Sequence, residues 1–450
     1  MEKTRISPEV WMTTIDQEKL LEKQENINYK TDNTKKEYII NVDENKTYQQ
    51  MDGFGASLTD ASAWLMYNKL SEENRKELME KLFHKNKGIG ISFIRQPMGA
   101  SDYALNIYSY DDMEKGENDY DLRNFSIEHD KKYIMPMIKE AISINKDMKI
   151  MATPWSAPGW MKTSDDMIGG TLKNDAYDAY ANYFTKFVQD YKNEGISIYA
   201  ISPQNEPLYS PKEYPGMIMQ PEEQINFMKN NLGPAFKTAG LETKIICYDH
   251  NWDVPGYPLT VLKDAEANKF TDGSAWHYYG GDHEAMSEVH DKYPNKDIWF
   301  TEGSGGEWIP PINKAFLDQM KHIVRIPRNW SKSIVWWNMA LDEKNGPTVL
   351  SHSTCRGIVT INENTGDIKY NLDYYTMGHI SKFVLSGAYR IASNTYEDEV
   401  EDVAFKNPDG SKVLVISNRK KEDKQIKVII NYQNFEYLIP GESAVTFVWN

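Results

Sequence analysis

Two glutamates in this chain stand where packing gives no reason for an acid. Glu206 lies between an amide and a proline in YAISPQNEPLYS (199–210), at the end of an apolar run, and Glu302 closes another run in DIWFTEG (297–303). One glutamate at a strand end is explained as well by a surface salt bridge. Two carboxylates facing across a concave site are the equipment of glycoside hydrolysis, in which one protonates the leaving oxygen and the other attacks or supports the anomeric carbon. The neighbours suit that chemistry. Asn205 can hydrogen-bond a sugar hydroxyl beside the bond being broken, and Gly303, Gly305 and Gly306 leave clearance around Glu302. Sugar rings expose apolar C–H faces that stack on aromatics, and Trp155, His277, Tyr279, Trp336 and Trp337 all end apolar runs. One of the two adjacent tryptophans must face the core, because neighbours on a strand point to opposite sides. Arg95 and Asp102 lie at and just after the end of a further run. A charged pair there costs a core more than it contributes, so both read as site residues.

These residues need a scaffold that brings strand ends together. Short apolar runs recur at 51–56, 91–97, 149–156, 197–207, 244–251, 274–279, 297–303 and 333–339, with helical stretches between them. The runs carry β-branched and aromatic residues and are too short for helices. In AYDAYANYFTKFVQDYKNEG, Tyr180, Phe184, Phe187, Val188 and Tyr191 share one helical face, and Gly195 sits where a C-terminal cap belongs. PEEQINFMKNNLGPAF and EENRKELMEKLF open as helices do. Strands alternating with helices pair in parallel through right-handed crossovers, and eight units favour a closed (β/α)₈ barrel of the α/β class. Barrel active sites lie at the C-terminal strand ends, and strands four and seven, which carry Glu206 and Glu302, lie on opposite sides of the ring.

The chain ends read differently. Residues 8–14 and 37–42 look like isolated strands, and from about Ser386 the pattern is strand, turn, strand, with a hairpin turn at Pro408-Asp409-Gly410. The expected organisation is therefore N-terminal sandwich strands at 1–45, the barrel at 46–383, and the rest of a β-sandwich at 384–450, packed tightly on the barrel.

Composition narrows the classes. Forty per cent hydrophobic residues exclude disorder, and a net charge of −15 argues against nucleic acid or anionic membrane surfaces. No run approaches the ~18 apolar residues of a membrane span. The N-terminal segment shows no apolar signal core and no cleavage site, so a cytosolic location is expected unless a leader was removed before residue 1. Cys247 and Cys355 make no metal or redox spacing and are expected to be free and buried. His277, Asp282, His283 and His290 cluster in sequence without the HExxH spacing, with His283 expected on a surface, and GIG at 88–90 leads into a strand and lacks a third glycine. No metal or organic cofactor is expected.

Longer motifs carry a resemblance. QNEP paired with FTEG, GFGASLTDASAWLM (53–66), TPWSAPGWMKT (153–163), WHYY, WWNMALDEKNGP (336–347) and YTMGHISKFV (375–384) are similar, in this order, to glycoside hydrolase family 30. That is the family of glucosylceramidases and β-1,6-glucanases. The resemblance spans about residues 8 to 450, and it implies a retaining mechanism on β-linked sugars without a cofactor. It further implies Glu206 as acid/base and Glu302 as nucleophile. Asp102, Trp155, Asn205, Tyr279 and Trp337 resemble glycone-subsite residues, and Arg95 the arginine that supports the carboxylates. GSGGEW and PLYSPKEYPGMIMQP differ from glucosylceramidase and lean to the bacterial β-1,6-glucan branch, whereas SHSTCRGI (351–358) aligns poorly with either. A β-xylosidase or other exo-β-glycosidase of the family is the alternative enzyme. A non-catalytic sugar-binding protein is the alternative of another class, against which both carboxylates stand in place.

Overall fold

The computed structural model describes residues 7–25, 38–309, 312–431 and 433–450. Eight parallel strands close into a barrel in chain order: Gly53–Ser57, Phe93–Pro97, Lys149–Thr153, Ala200–Ile201, Lys244–Asn251, Gly273–His277, Asp297–Glu302 and Ser333–Trp336. The eighth pairs with the first (Val335 opposite Gly55), and a bridge between Ile298 and Ser331 shuts the ring against the seventh. Each of the eight runs read from the sequence overlaps one strand. The second to eighth strands send Phe93, Met151, Ala200, Ile246, Ala275, Trp299 and Val335 into a fully buried interior layer, so the barrel is packed rather than hollow. Below it Asp52 accepts from Lys149, Tyr199 and Trp299, closing the face opposite the site.

The helices obey local rules. Glu72–Phe83 is capped by Ser71, whose hydroxyl accepts from the Asn74 amide. Tyr177–Asn193 buries the five apolar residues at helical spacing and ends before Gly195, whose φ of +82° suits glycine. The stretch expected as one helix from Pro221 is a helix over Pro221–Phe227, a π-helical turn over Met228–Leu232, and a helix over Gly233–Thr238. The wider turn brings Gly233 against the Phe270 ring, where an added Cβ would lie 2.2 Å from the ring. Among the described residues no helix is long and apolar enough to cross a membrane.

The second body is a nine-stranded sheet assembled from both chain ends. Glu9–Thr14 pairs antiparallel with Ser443–Trp449, and Tyr38–Gln50 lies between Tyr389–Ser393 and Lys424–Ile430. Glu37, the first residue of the expected 37–42 strand, lies outside the described residues. The hairpin of Val400–Lys406 and Lys412–Asn418 turns through Gly410, at φ +88°. The sheet is bolted to the barrel by polar contacts. His379 bonds Thr13 at 2.8 Å and Thr446 at 2.9 Å, and Arg325 forks onto Glu401 at 2.8 and 2.7 Å.

Candidate active site

The C-terminal strand ends surround a cavity of about 400 Å³ lined by Asp102, Glu206, Tyr209, Tyr214, His250, Asn251, Tyr279, Glu302, Ser304, Trp308, Trp337 and Cys355. Glu302 is the last residue of the seventh strand. The fourth strand ends at Ile201, so Glu206 stands beyond it on a loop rather than on the strand end the sequence suggested. Backbone bonds hold that loop: the Asn205 amide donates to the Pro154 carbonyl and the Glu206 amide to the Asp249 carbonyl. Glu206 has φ +46°, a left-handed conformation that costs a non-glycine residue about 1 kcal/mol or more and that this loop enforces.

Each carboxylate has its own donors. Arg95, fully buried, gives Nη1 to Glu302 Oε2 at 2.5 Å, and the Tyr279 hydroxyl gives to Glu302 Oε1 at 2.9 Å. His277 Nδ1 lies 3.3 Å from Glu206 Oε1 and 4.0 Å from Glu302 Oε1. One oxygen of each glutamate and a His277 ring nitrogen all fall within 4.8 Å of one another, the close spacing of a retaining pair. Arg95 Nη2 reaches Asn205 Oδ1 at 2.7 Å, which engages one of the two acceptor positions of that oxygen. Trp155 and Trp337 stack at 5.0 Å, with the Arg95 guanidinium 4.9 Å from the Trp155 ring. Trp337 meets the cavity and Trp155 backs it. Trp336 takes the other side, packing on Phe300 and Tyr278 in the layer between the barrel strands and the helices.

The residue the sequence reading missed is Asp249. It is completely buried near the end of the fifth strand and accepts from five donors: Arg95 (2.9 Å), Thr153 (3.1 Å), Ser202 (2.5 Å), Thr301 (2.6 Å) and His277 Nε2 (3.0 Å). It thus fixes both the cation on Glu302 and the imidazole on Glu206. An acid closing the run KIICYDHN is the same signal that singled out the two glutamates.

The glycines near Glu302 also have a different use from the clearance expected. A Cβ on Gly303 would lie 2.8 Å from the Trp336 and Tyr278 rings, on Gly305 2.2 Å from the Arg356 guanidinium, and on Gly306 2.0 Å from the Trp308 ring. They admit neighbouring side chains, not the sugar. Cys247 is buried as expected, but Cys355 is only partly so. It pairs with Gly306, which has no side chain to cover it, and its thiol borders the cavity.

Charge is distributed unevenly. Burial works to raise Glu206, but His277, His250 and Arg95 outweigh it and hold this carboxyl below its usual range. Burial, aided by Glu206, pushes Glu302 up against the opposing pull of His277 and Arg95. Burial first, then Glu302 and Glu206, raises Asp102 well above its usual value. Its buried Oδ1 has no hydrogen-bond partner among the described residues. Asp249 is held far down: burial is outweighed by Arg95, His277 and Ser202.

His277 is pushed up to about 9, because Glu302, Asp249 and Glu206 together overcome the effect of burial. A raised folded-state value stabilises the fold fully below the ordinary 6.5, and that stabilisation disappears as pH climbs to about 9. Unfolding free energy is therefore expected to fall, by on the order of 3 kcal/mol, between those limits. Urea midpoints of the wild type and of His277→Gln across that window check this. An equal slope in both proteins would show that His277 is not the group responsible.

A cation donating from both ring nitrogens has no lone pair for a metal, so His277 with the two glutamates does not suit an ion. The two other histidines of that sequence cluster have partners of their own. His290 stacks on Trp330 at 3.6 Å, and His283, expected on a surface, is buried against Trp252 because the start of the Glu284–Lys292 helix turns it inward.

Residues 51–384 match the glycosyl hydrolase family 30 TIM-barrel domain and residues 387–447 the beta sandwich domain of that family. The chain is 34% identical over 426 residues to the endo-1,6-beta-D-glucanase neg1 of Aspergillus fumigatus, covering 89% of this chain and 85% of the relative. It is 31% identical over 434 residues to the lysosomal acid glucosylceramidase of Mus musculus, covering 91% and 83%. The solved endo-beta1,6-glucanase BT3312 superposes with a TM-score of 0.91 at 34% identity, over 99% of both chains.

Proposed function

Because the chain belongs to glycosyl hydrolase family 30, we propose that its substrates are β-1,6-linked glucans or their oligosaccharides, cut by Glu302 as nucleophile and Glu206 as acid/base. The enzyme is a retaining β-glycoside hydrolase acting on β-D-glucosides. The choice of linkage rests on its likeness, along nearly the full chain, to proteins named as β-1,6-glucanases. The observation that carries the roles is the asymmetric set of donors on two close carboxylates. Arg95 and Tyr279 both address Glu302, aligning its oxygens and supporting negative charge, whereas among the described residues the Glu206 carboxylate lies against the imidazoles of His277 and His250.

A Glu302 oxygen forms a bond to the anomeric carbon as the glycosidic C–O bond breaks, and the leaving oxygen takes a proton from Glu206. Water then attacks the same carbon, gives its proton to Glu206, and Glu302 departs as carboxylate. In the free site the Glu206 carboxyl is held low and that of Glu302 high, the reverse of what the first step needs, so sugar binding must raise the proton affinity of Glu206 relative to Glu302. Expulsion of water strengthens the Arg95 and Tyr279 bonds to Glu302, which drives the charge the required way. Asp102 and Trp337 then hold the glycone, one by hydrogen bond and the other by stacking.

Hydrolysis of gentiobiose, glucosylceramide, an aryl β-glucoside and an aryl β-xyloside tests the substrate, with gentiobiose expected to exceed glucosylceramide and the glucoside to exceed the xyloside. The reverse order in either pair sinks the corresponding choice. For the roles, Glu206→Ala is expected to slow turnover about 10²–10⁴-fold, through the second step when the leaving group is good, with azide restoring the rate. A variant that azide leaves unchanged would count against Glu206 as the acid/base.

A further inference from the structure

The aromatic lining of the cavity changes from floor to mouth. Trp337 is 3% exposed, whereas Tyr279, Trp308 and Tyr209 are 41%, 48% and 49% exposed. These three are among the few large apolar side chains that the described surface exposes, and all three line this one opening. Exposed aromatics concentrated at one mouth are a surface held ready for an apolar face.

Trp308 is also held in place. The carbonyl of Gly306 accepts from the Ile309 amide, and that of Thr354 from the Glu307 amide, so the chain turns back over Gly306. Gly306 itself is pinned to Cys355 by the short Gly305–Gly306 ladder. The indole rests on that glycine so closely that a Cβ there would lie 2.0 Å from Cζ3 and 2.5 Å from Cε3. The ladder ties that glycine to the neighbouring segment, and the indole lies against it. A large side chain fixed half in solvent is poorly explained by packing alone, because core partners would bury it.

Resting on the glycosidase reading above, we propose that Trp308, seated on Gly306, is the platform for the sugar ring on the leaving-group side and so a specificity-determining residue. The buried end of the cavity, with Asp102 and Trp337, takes the glycone. Its anomeric carbon sits at the two carboxylates, and the leaving group must point towards the mouth, where the indole lies. Tyr209, on the loop after Glu206, lines the same mouth. Recognition of this kind selects a leaving group with a flat C–H face, such as a second glucose, over a small one.

The test compares a β-1,6-linked glucose trisaccharide with β-D-glucosyl fluoride, whose leaving group is a single ion. In Trp308→Ala, kcat/KM for the trisaccharide is expected to fall about tenfold, mainly through KM, while that for the fluoride stays within about twofold. Gly306→Ala is expected to show the same pattern because its methyl displaces the indole, and Trp308→Phe to recover most of the loss. Equal losses on both substrates, or none, would overturn the platform and leave the glycosidase reading intact. A wild-type enzyme that cleaves the fluoride but not the trisaccharide would overturn the linkage and the platform together. If wild type cleaves neither, the glycosidase reading itself falls.

Discussion

Glu302→Gln is expected to end turnover of every β-glycoside, with kcat/KM falling by on the order of 10⁴-fold or more, because no other group can form the bond to the anomeric carbon. The amide nearly matches the carboxylate in shape, and Arg95 keeps Asp249 and Asn205 as partners, so the fold should survive. Steady-state rates on an aryl β-glucoside, alongside near-ultraviolet circular dichroism, separate lost chemistry from lost structure. Retention of even a few per cent of the rate in a folded variant would remove Glu302 from the nucleophile's role. Proton NMR of the first product offers a second check: a retaining pair releases the β-anomer before mutarotation.

Asp249→Ala is the second large effect. The substitution leaves the buried Arg95 guanidinium without its Asp249 partner and strips His277 Nε2, Thr153, Ser202 and Thr301 of theirs, deep inside the barrel. Removing one partner of a buried, hydrogen-bonded ion pair costs about 3–5 kcal/mol, since the remaining charge stays desolvated. The urea midpoint should fall accordingly. Activity should fall with it, because Arg95 no longer aligns Glu302 and His277 no longer aligns Glu206. Asp249→Asn, which keeps the volume and one acceptor, is expected to recover much of the stability but little of the rate. A midpoint shift of less than about 1 kcal/mol in Asp249→Ala would show that Arg95 and Glu302 hold the site without it.

Much of this protein can be read from local pattern. Eight apolar runs separated by helical periods point to parallel pairing, and their number favours a closed ring. The paired glutamates follow from the same pattern, since strand ends carrying acids have no packing explanation and a barrel gathers those ends at one face. The strand-turn-strand rhythm at the C-terminus likewise specifies a sandwich, down to the turn at Gly410.

Other features depend on which residues meet after closure. Glu206 lies five residues past Ile201 because the loop, not the strand, carries it to its partner. The sequence requires one of Trp336 and Trp337 to face the core, and only the folded chain, in which Val335 fills the barrel interior and Trp336 packs on Phe300 and Tyr278, decides that it is Trp336. Asp249 becomes a hub only when donors from the second, third, sixth and seventh strands and from Ser202 converge on one oxygen pair. The glycines after Glu302 are explained by Arg356 and Trp308 lying across them, residues of other segments or further along the loop. Proton affinities follow the same division. A carboxyl, an imidazole or a thiol has its ordinary affinity in the sequence, and burial beside particular charges sets the one it has here. Periodicity is a property of neighbours along the chain, whereas contact and desolvation are properties of neighbours in space.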